Sequence, residues 1–192
     1  MKFESFLKKV SKLAVIETEA LYSGTAKCTS IEVQLSRWRK AGKIIQLKRG
    51  LYVLRERWEN AASKDFYALA NRLQVPSYIS LTTALSYHAI TTQVQQGYLE
   101  SVAITRTKDI LVEKVRFRYF KLQERLYSGF IKKDGFFIAT PEKALLDALY
   151  LSSIHRYRLD LDSLDLGRIN LEHLRKLARI YPDRVKERVR RL

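Results

Sequence analysis

Arg37, Lys40, Lys43, Lys48 and Arg49 are five of the six cationic side chains in residues 37–49, close behind Thr29, Ser30, Val33 and Ser36. Guanidinium and ammonium groups bind phosphates and base edges, and short side chains between them allow close approach. On a helix at about 100° per residue, Ile31, Leu35 and Trp38 share one stripe. Thr29, Val33, Ser36, Arg37 and Lys40 share the opposite one, flanked by Glu32, Gln34 and Arg39. The first stripe is expected in the core, with Trp38 as an anchor rather than a base-stacking residue. The second is small or basic near its middle, as a helix entering a major groove requires. Arg37 can donate two parallel bonds to guanine O6 and N7, Val33 can touch a thymine methyl, and Lys40 suits phosphate. A polar outer face is common to all surface helices. The reading rests on the helix, its stop and the basic hairpin beyond it taken together.

The elements that must position these groups are short. Residues 2–13 carry Phe3, Phe6, Leu7, Val10 and Leu13 at helical spacing, with Lys8, Lys9 and Lys12 opposite. A second helix is expected from Ile16 to Leu21, stopped by Ser23-Gly24. Thr29 or Ser30 is expected to cap a third from Ile31 to Ala41, ended by Gly42. Lys43–Leu47 and Leu51–Leu54 then read as a hairpin, with Lys48 and Arg49 at its tip reaching an adjacent groove or the backbone. Three helices and a basic hairpin predict a winged helix-turn-helix over residues 1–58.

Residues 59–192 read as an α+β domain with a helical C-terminal extension. A helix is expected from Glu59 to Leu73, with a joint at Asn60–Ser63, and Pro76 breaks the pattern. Ser80 is expected to cap a helix over 81–88. Ser101–Arg106, Val115–Leu122 and Gly135–Ala139 are β-rich, the middle one with Arg116 and Arg118 on an outer face. Thr140 can cap the next helix, Pro141 suits its first position, and Glu142 suits its positive end. Lys143 and Asp147, one turn apart, read as a surface pair. From Leu171 onward the tail is helical, broken at Pro182, and rich in Arg184, Arg188, Arg190 and Arg191. Its last few residues are expected to be solvated and frayed.

Charge bears on partners. The 192 residues hold 36 Lys and Arg against 20 Asp and Glu, a formal excess of +16, while 46% are hydrophobic. That composition excludes global disorder, and the charge favours a polyanionic partner. The excess is polar along the chain: residues 1–58 hold 13 basic and 5 acidic side chains, and residues 152–192 hold 11 and 6. Apolar runs are too short for a membrane span, and MKFESFLKKVSK lacks the apolar stretch of a secretory signal. Cys28 is the single cysteine, which rules out an intrachain disulfide and fits a reducing, cytoplasmic setting.

Three segments resemble the AbiEi family, antitoxins of abortive-infection toxin–antitoxin systems. One is the N-terminal order ending in Leu47-Lys48-Arg49-Gly50-Leu51-Tyr52. Another is Tyr78 to His88, similar to a Tyr-x-Ser-x-x-x-Ala-Leu-x-x-His signature. The third is Thr140-Pro141-Glu142-Lys143-Ala144-Leu145-Leu146-Asp147, similar to a Ser/Thr-Pro-Glu-x-Ala-Leu-x-Asp helix start. Together they span residues 1 to about 151. His88 is followed by Ala89, where members usually have Gly. The resemblance implies a DNA-binding autorepressor, with two chains on an inverted repeat of its own promoter. It also implies a second domain that counters a nucleotidyltransferase-like toxin, with or without touching it.

No catalytic constellation competes. There is no glycine-rich phosphate loop and no Gly-x-Ser-x-Gly elbow. His88, His155 and His173 lack metal-ligand spacing, and His88 reads as a hydrogen-bonded structural residue. Asp160, Asp162 and Asp165 alternate with leucines and read as an amphipathic segment rather than a calcium loop. The expectation is a non-enzymatic protein without metal or cofactor. The alternative is a general nucleic-acid or RNA-binding accessory protein using its basic tail, and a third reading is an interaction-only module.

Overall fold

The computed structural model describes residues 2–21, 28–93 and 95–192. The chain is mixed α+β and divides into two compact units, Met1–Leu69 and Ala70–Leu192.

In the first unit the order is α1 (Phe3–Val10), β1 (Ile16–Glu17), α2 (Thr18–Leu21), α3 (Cys28–Lys40), β2 (Ile44–Lys48), β3 (Leu51–Leu54) and α4 (Arg55–Glu59). Phe6, Val10, Ile16, Ile31, Leu35, Trp38, Ile44 and Leu54 form its core. The Trp38 ring lies 4.5 Å from Phe6 and 5.3 Å, edge-on, from Phe3. The three strands pair antiparallel in the order β1-β3-β2. The cross-strand pair Ile44 and Leu54 faces this core, while Ile45 and Val53 are buried on the other face, where α4 lies against β2 and β3.

Ile16 and Glu17 are a strand paired with Tyr52 and Leu51, not the start of a helix. The β-branched Ile16 gains sheet hydrogen bonds that a two-turn helix would not supply. Thr29 and Ser30 lie inside the first turn of α3, so neither occupies a cap position. Leu13 follows the end of α1 and is 44% exposed. The joint expected at Asn60–Ser63 is where the helix breaks, but Glu59 belongs to the element before it: α4 ends at Glu59, and α5 (Ser63–Leu73) starts where Asp65 Oδ2 accepts the Ala62 N–H at 2.9 Å. The unit boundary falls within α5, whereas residue 58 lies in α4. Ser23 and Gly24 lie outside the described residues.

The second unit contains β4 (Ser77–Ile79), α6 (Leu81–Tyr87), β5 (Tyr98–Ala103), β6 (Lys108–Val112), β7 (Val115–Lys121), β8 (Phe130–Lys133), β9 (Phe136–Ala139), α7 (Pro141–Ser153), α8 (Leu171–Ala178) and α9 (Asp183–Arg190). Its six strands are ordered β6-β7-β5-β4-β9-β8, with parallel pairs β7/β5 and β4/β9. Phe117 and Tyr119 are fully buried, and the Tyr119 hydroxyl donates to Ala70 O at 2.7 Å. Helix α7 is buried almost all round, packed by α6, α8 and α9. The tail is part of this core: Val185 and Val189 are 0% and 2% exposed, and α9 continues to Arg190 rather than fraying. Among the described residues no helix is long and apolar enough to cross a membrane.

Helix α6 ends in a Schellman motif. The Ile90 N–H reaches Leu85 O at 2.8 Å and the Ala89 N–H reaches Ser86 O at 3.0 Å, with Ala89 at φ +56°. The tight turn is therefore made with alanine in a region that favours glycine. Ala89→Gly is predicted to raise stability by about 0.5–1 kcal/mol, by relieving the Cβ strain. A higher urea midpoint at unchanged slope would register the gain, and a lower midpoint would contradict it.

Candidate nucleic-acid interface

Helix α3 turns its two stripes as its spacing predicts. Ile31, Leu35 and Trp38 are 8%, 1% and 7% exposed, whereas Val33 is 49% exposed. Ser30, Ser36, Arg37 and Lys40 are exposed on the same helix, and Thr29 lies in its first turn. Gly42 ends it at φ +70°, where the Gly42 and Lys43 N–H groups close onto Arg39 O and Trp38 O. Lys43 is exposed, and its ammonium sits 4.5 Å from the centre of the Phe3 ring. Arg39 is bound to Gln46 of β2, so this cation braces the helix against the hairpin. Arg55, whose Nε donates to Gly42 O at 2.7 Å, fixes the same junction from α4. Periodicity alone could not assign either role, because the acceptors lie across the chain reversal.

The hairpin tip is a two-residue turn, Arg49-Gly50, between the paired Lys48 and Leu51. Gly50 adopts φ +77°, and both Lys48 and Arg49 are exposed. The unit thus presents a helix face and a hairpin tip, both basic, built on one core. Such a surface can accept phosphates at several points and offer the bidentate donor Arg37, on the helix face, to a base edge.

The signature residues of the second unit are gathered too, but inside it. Asp147 is fully buried and accepts four hydrogen bonds: from Tyr78 Oη and Ser80 Oγ at 2.8 Å each, from Lys143 Nζ at 2.5 Å, and from Tyr181 Oη at 3.1 Å. Lys143 Nζ also donates to Leu126 O at 2.7 Å and to Tyr181 Oη at 2.5 Å. Lys143 and Asp147 are therefore a buried ion pair, not a surface one. Burial, then the Asp147 charge, raises the Tyr78 and Tyr181 phenols, so both remain donors. Burial pulls the Lys143 ammonium down, and the adjacent carboxylate opposes that.

Ser80 precedes α6 as expected, yet it makes no side-chain cap, because its hydroxyl is committed to Asp147. The Glu100 carboxylate instead receives the Thr82 N–H at 3.1 Å. Half-buried His88 has Nε2 at 2.8 Å from Ala139 O; a carbonyl only accepts, so Nε2 donates. Burial lowers its basicity, consistent with a neutral structural ring. Thr140 caps α7 by accepting the Lys143 N–H at 3.3 Å, and Pro141 begins the helix. Glu142 is buried and holds the start of α8 through the Asn170 N–H at 3.1 Å. The two signature segments are thus one hydrogen-bonded unit, joined also by the pairing of Ile79 with Ile138. Lys143 and Tyr181 were missed as members. Lys143 had a signal, its place one turn before Asp147, but Tyr181 had none. Among the described residues no group of three or more His, Cys, Asp or Glu is arranged to hold a metal ion.

Compared with known proteins, the chain matches no protein-family model and no curated sequence.

Proposed function

We propose that the chain is a sequence-specific DNA-binding repressor whose first unit is a winged helix-turn-helix, with α3 as recognition helix and the β2–β3 hairpin as wing. In this reading it represses its own promoter and is the antitoxin of an abortive-infection pair, countering a nucleotidyltransferase-like toxin. One observation carries the DNA-binding part: α3 buries Trp38 while leaving Val33, Ser36, Arg37 and Lys40 exposed beside a cationic hairpin tip. The element order helix, strand, helix, helix, hairpin supports it. The antitoxin part rests on the AbiEi resemblance, supported by the way Tyr78, Ser80 and Asp147 come together.

The test is a mobility-shift titration on the chain's own promoter and on random duplex. Arg37→Ala is predicted to weaken promoter binding by about 1–3 kcal/mol and to relax preference at one base. Equal loss on both duplexes would contradict base reading by Arg37. Lys48→Ala should weaken both alike and reduce the salt slope by about 1. The accessory-protein alternative finds support in a cationic groove of α8 and α9 lined by Arg175, Arg179, Lys186 and Arg190. Removing residues 182–192 would not separate the readings, since it takes Val185 and Val189 out of the core. Changing Arg175 and Arg179 to Gln leaves the core intact; under the repressor reading promoter discrimination survives.

A further inference from the structure

A second candidate site lies wholly within the second unit. Glu100 and Arg118 are neighbours across the parallel pair β5/β7, as are Val102 and Phe120. Alternation therefore puts Tyr98, Glu100, Arg118 and Phe120 on one sheet face. The segment after α7 brings Arg156, Tyr157 and Arg158 to that face and leaves a cleft of about 310 Å³. This volume is at the small end of the range for ligand sites, about 300–1,000 Å³.

The cleft is chemically mixed in a definite way. Its carboxylate, Glu100, is 2% exposed and held by the Thr82 N–H and by the Tyr157 hydroxyl at 2.9 Å. That phenol is fixed in turn by Thr82 Oγ1 at 2.6 Å. Phe120 and Tyr157 meet edge-to-face at 5.5 Å, and the Arg118 guanidinium lies 5.1 Å from the Phe120 ring centre. Arg156 and Arg158 are exposed and have no carboxylate partner among the described residues. Asp160, the other acid of the lining, accepts from Gln93 Nε2 at 3.1 Å. Exposed guanidiniums suit a phosphate, aromatic rings suit a planar base, and a fixed carboxylate suits an N–H on that base.

We propose that this cleft binds a phosphorylated nucleoside, its phosphate on Arg156 and Arg158, its ring against Phe120 and Tyr157, and an N–H of its base on Glu100. The ligand is either a free mononucleotide or the phosphorylated end of a strand. The proposal does not depend on the DNA-binding reading, because no residue of the first unit takes part.

Calorimetric titration of the full chain tests it, with the four ribonucleoside 5′-monophosphates, the four nucleosides, inorganic phosphate and a 5′-phosphorylated trinucleotide as probes. At least one monophosphate should bind saturably at one site, with its nucleoside and inorganic phosphate each weaker by about tenfold or more. Arg156→Gln and Arg158→Gln, both exposed, should weaken it by about the same factor, and Arg175→Gln should not. At pH 8, where Glu100 is ionised and only accepts, Glu100→Gln should reorder the preference among bases, since an amide also presents a donor. A trinucleotide that binds as tightly as the monomer identifies a strand end as the ligand, and a weaker one identifies the free nucleotide. Any one of three results overturns the proposal: no saturable binding by any phosphorylated probe at millimolar concentration, inorganic phosphate binding as tightly as the nucleotides, or affinities unchanged in the Arg156 and Arg158 variants.

Discussion

Asp147→Ala is expected to destabilise the second unit by about 3–5 kcal/mol, because it leaves the Lys143 ammonium buried without its counter-charge. The same change removes the acceptor of Tyr78, Ser80 and Tyr181 at once. Those groups come from β4, from the residue before α6, and from the joint between α8 and α9, so the loss spreads over the unit. Lys143→Met should cost a comparable amount by orphaning the carboxylate. Replacing both by apolar residues should cost less than the two single changes added together, since a neutral interior needs no compensation. Both tryptophans, Trp38 and Trp58, lie in the first unit, so the measurement must follow tyrosine near-ultraviolet dichroism during urea unfolding. A loss below about 1 kcal/mol is what an exposed pair would produce, and would contradict the buried network.

Stability is expected to fall as pH rises from about 4.5 to 7, and Glu100 is the reason. Burial pushes its carboxyl from 4.5 up to about 7, opposed by the bonds from Tyr157 and Thr82 and by Arg118. Between these two values the folded chain keeps a proton on Glu100 that the unfolded chain has released. The unfolded state then binds fewer protons, so the slope of unfolding free energy with pH is negative in that window. Below the lower value both states are protonated, and above the upper value both are ionised, so this contribution is flat outside it. Across the window it amounts to about 3 kcal/mol. Glu100→Gln, which cannot ionise, should flatten the curve between about pH 4.5 and pH 7 in chemical denaturation. An unchanged pH dependence in that variant would show that another group is responsible.

The strands divide by the kind of signal they carry. β7 and β9 were legible because β-branched and aromatic residues are dense there. β8 pairs with β9 through the two-residue turn Asp134-Gly135, with Asp134 at φ +48° and Gly135 at φ +86°. That dipeptide is a strong hairpin signal, so β8 was readable from sequence and was missed. β4 and β6 are different. Ser77–Ile79 is three residues long and Lys108–Val112 lies at a sheet edge, so each becomes a strand through its neighbours rather than by its own pattern.

By itself the sequence determined whatever depends on residues within a turn or two of one another. It set the inward stripe of Ile31, Leu35 and Trp38, the stop at Gly42, the basic hairpin and the Thr140-Pro141 helix start. These are local because helical phase, left-handed backbone and capping each involve only a few consecutive residues. Only the tertiary structure decided what lies opposite each residue. Lys143 and Asp147 have the spacing of a solvated pair, and burial turns them into the centre of a network closed by Tyr78 and Tyr181. The same holds for Glu100, which is buried by packing and then caps a helix that Ser80 precedes. Charge cost depends on the surrounding medium, and that medium is supplied by residues tens of positions away.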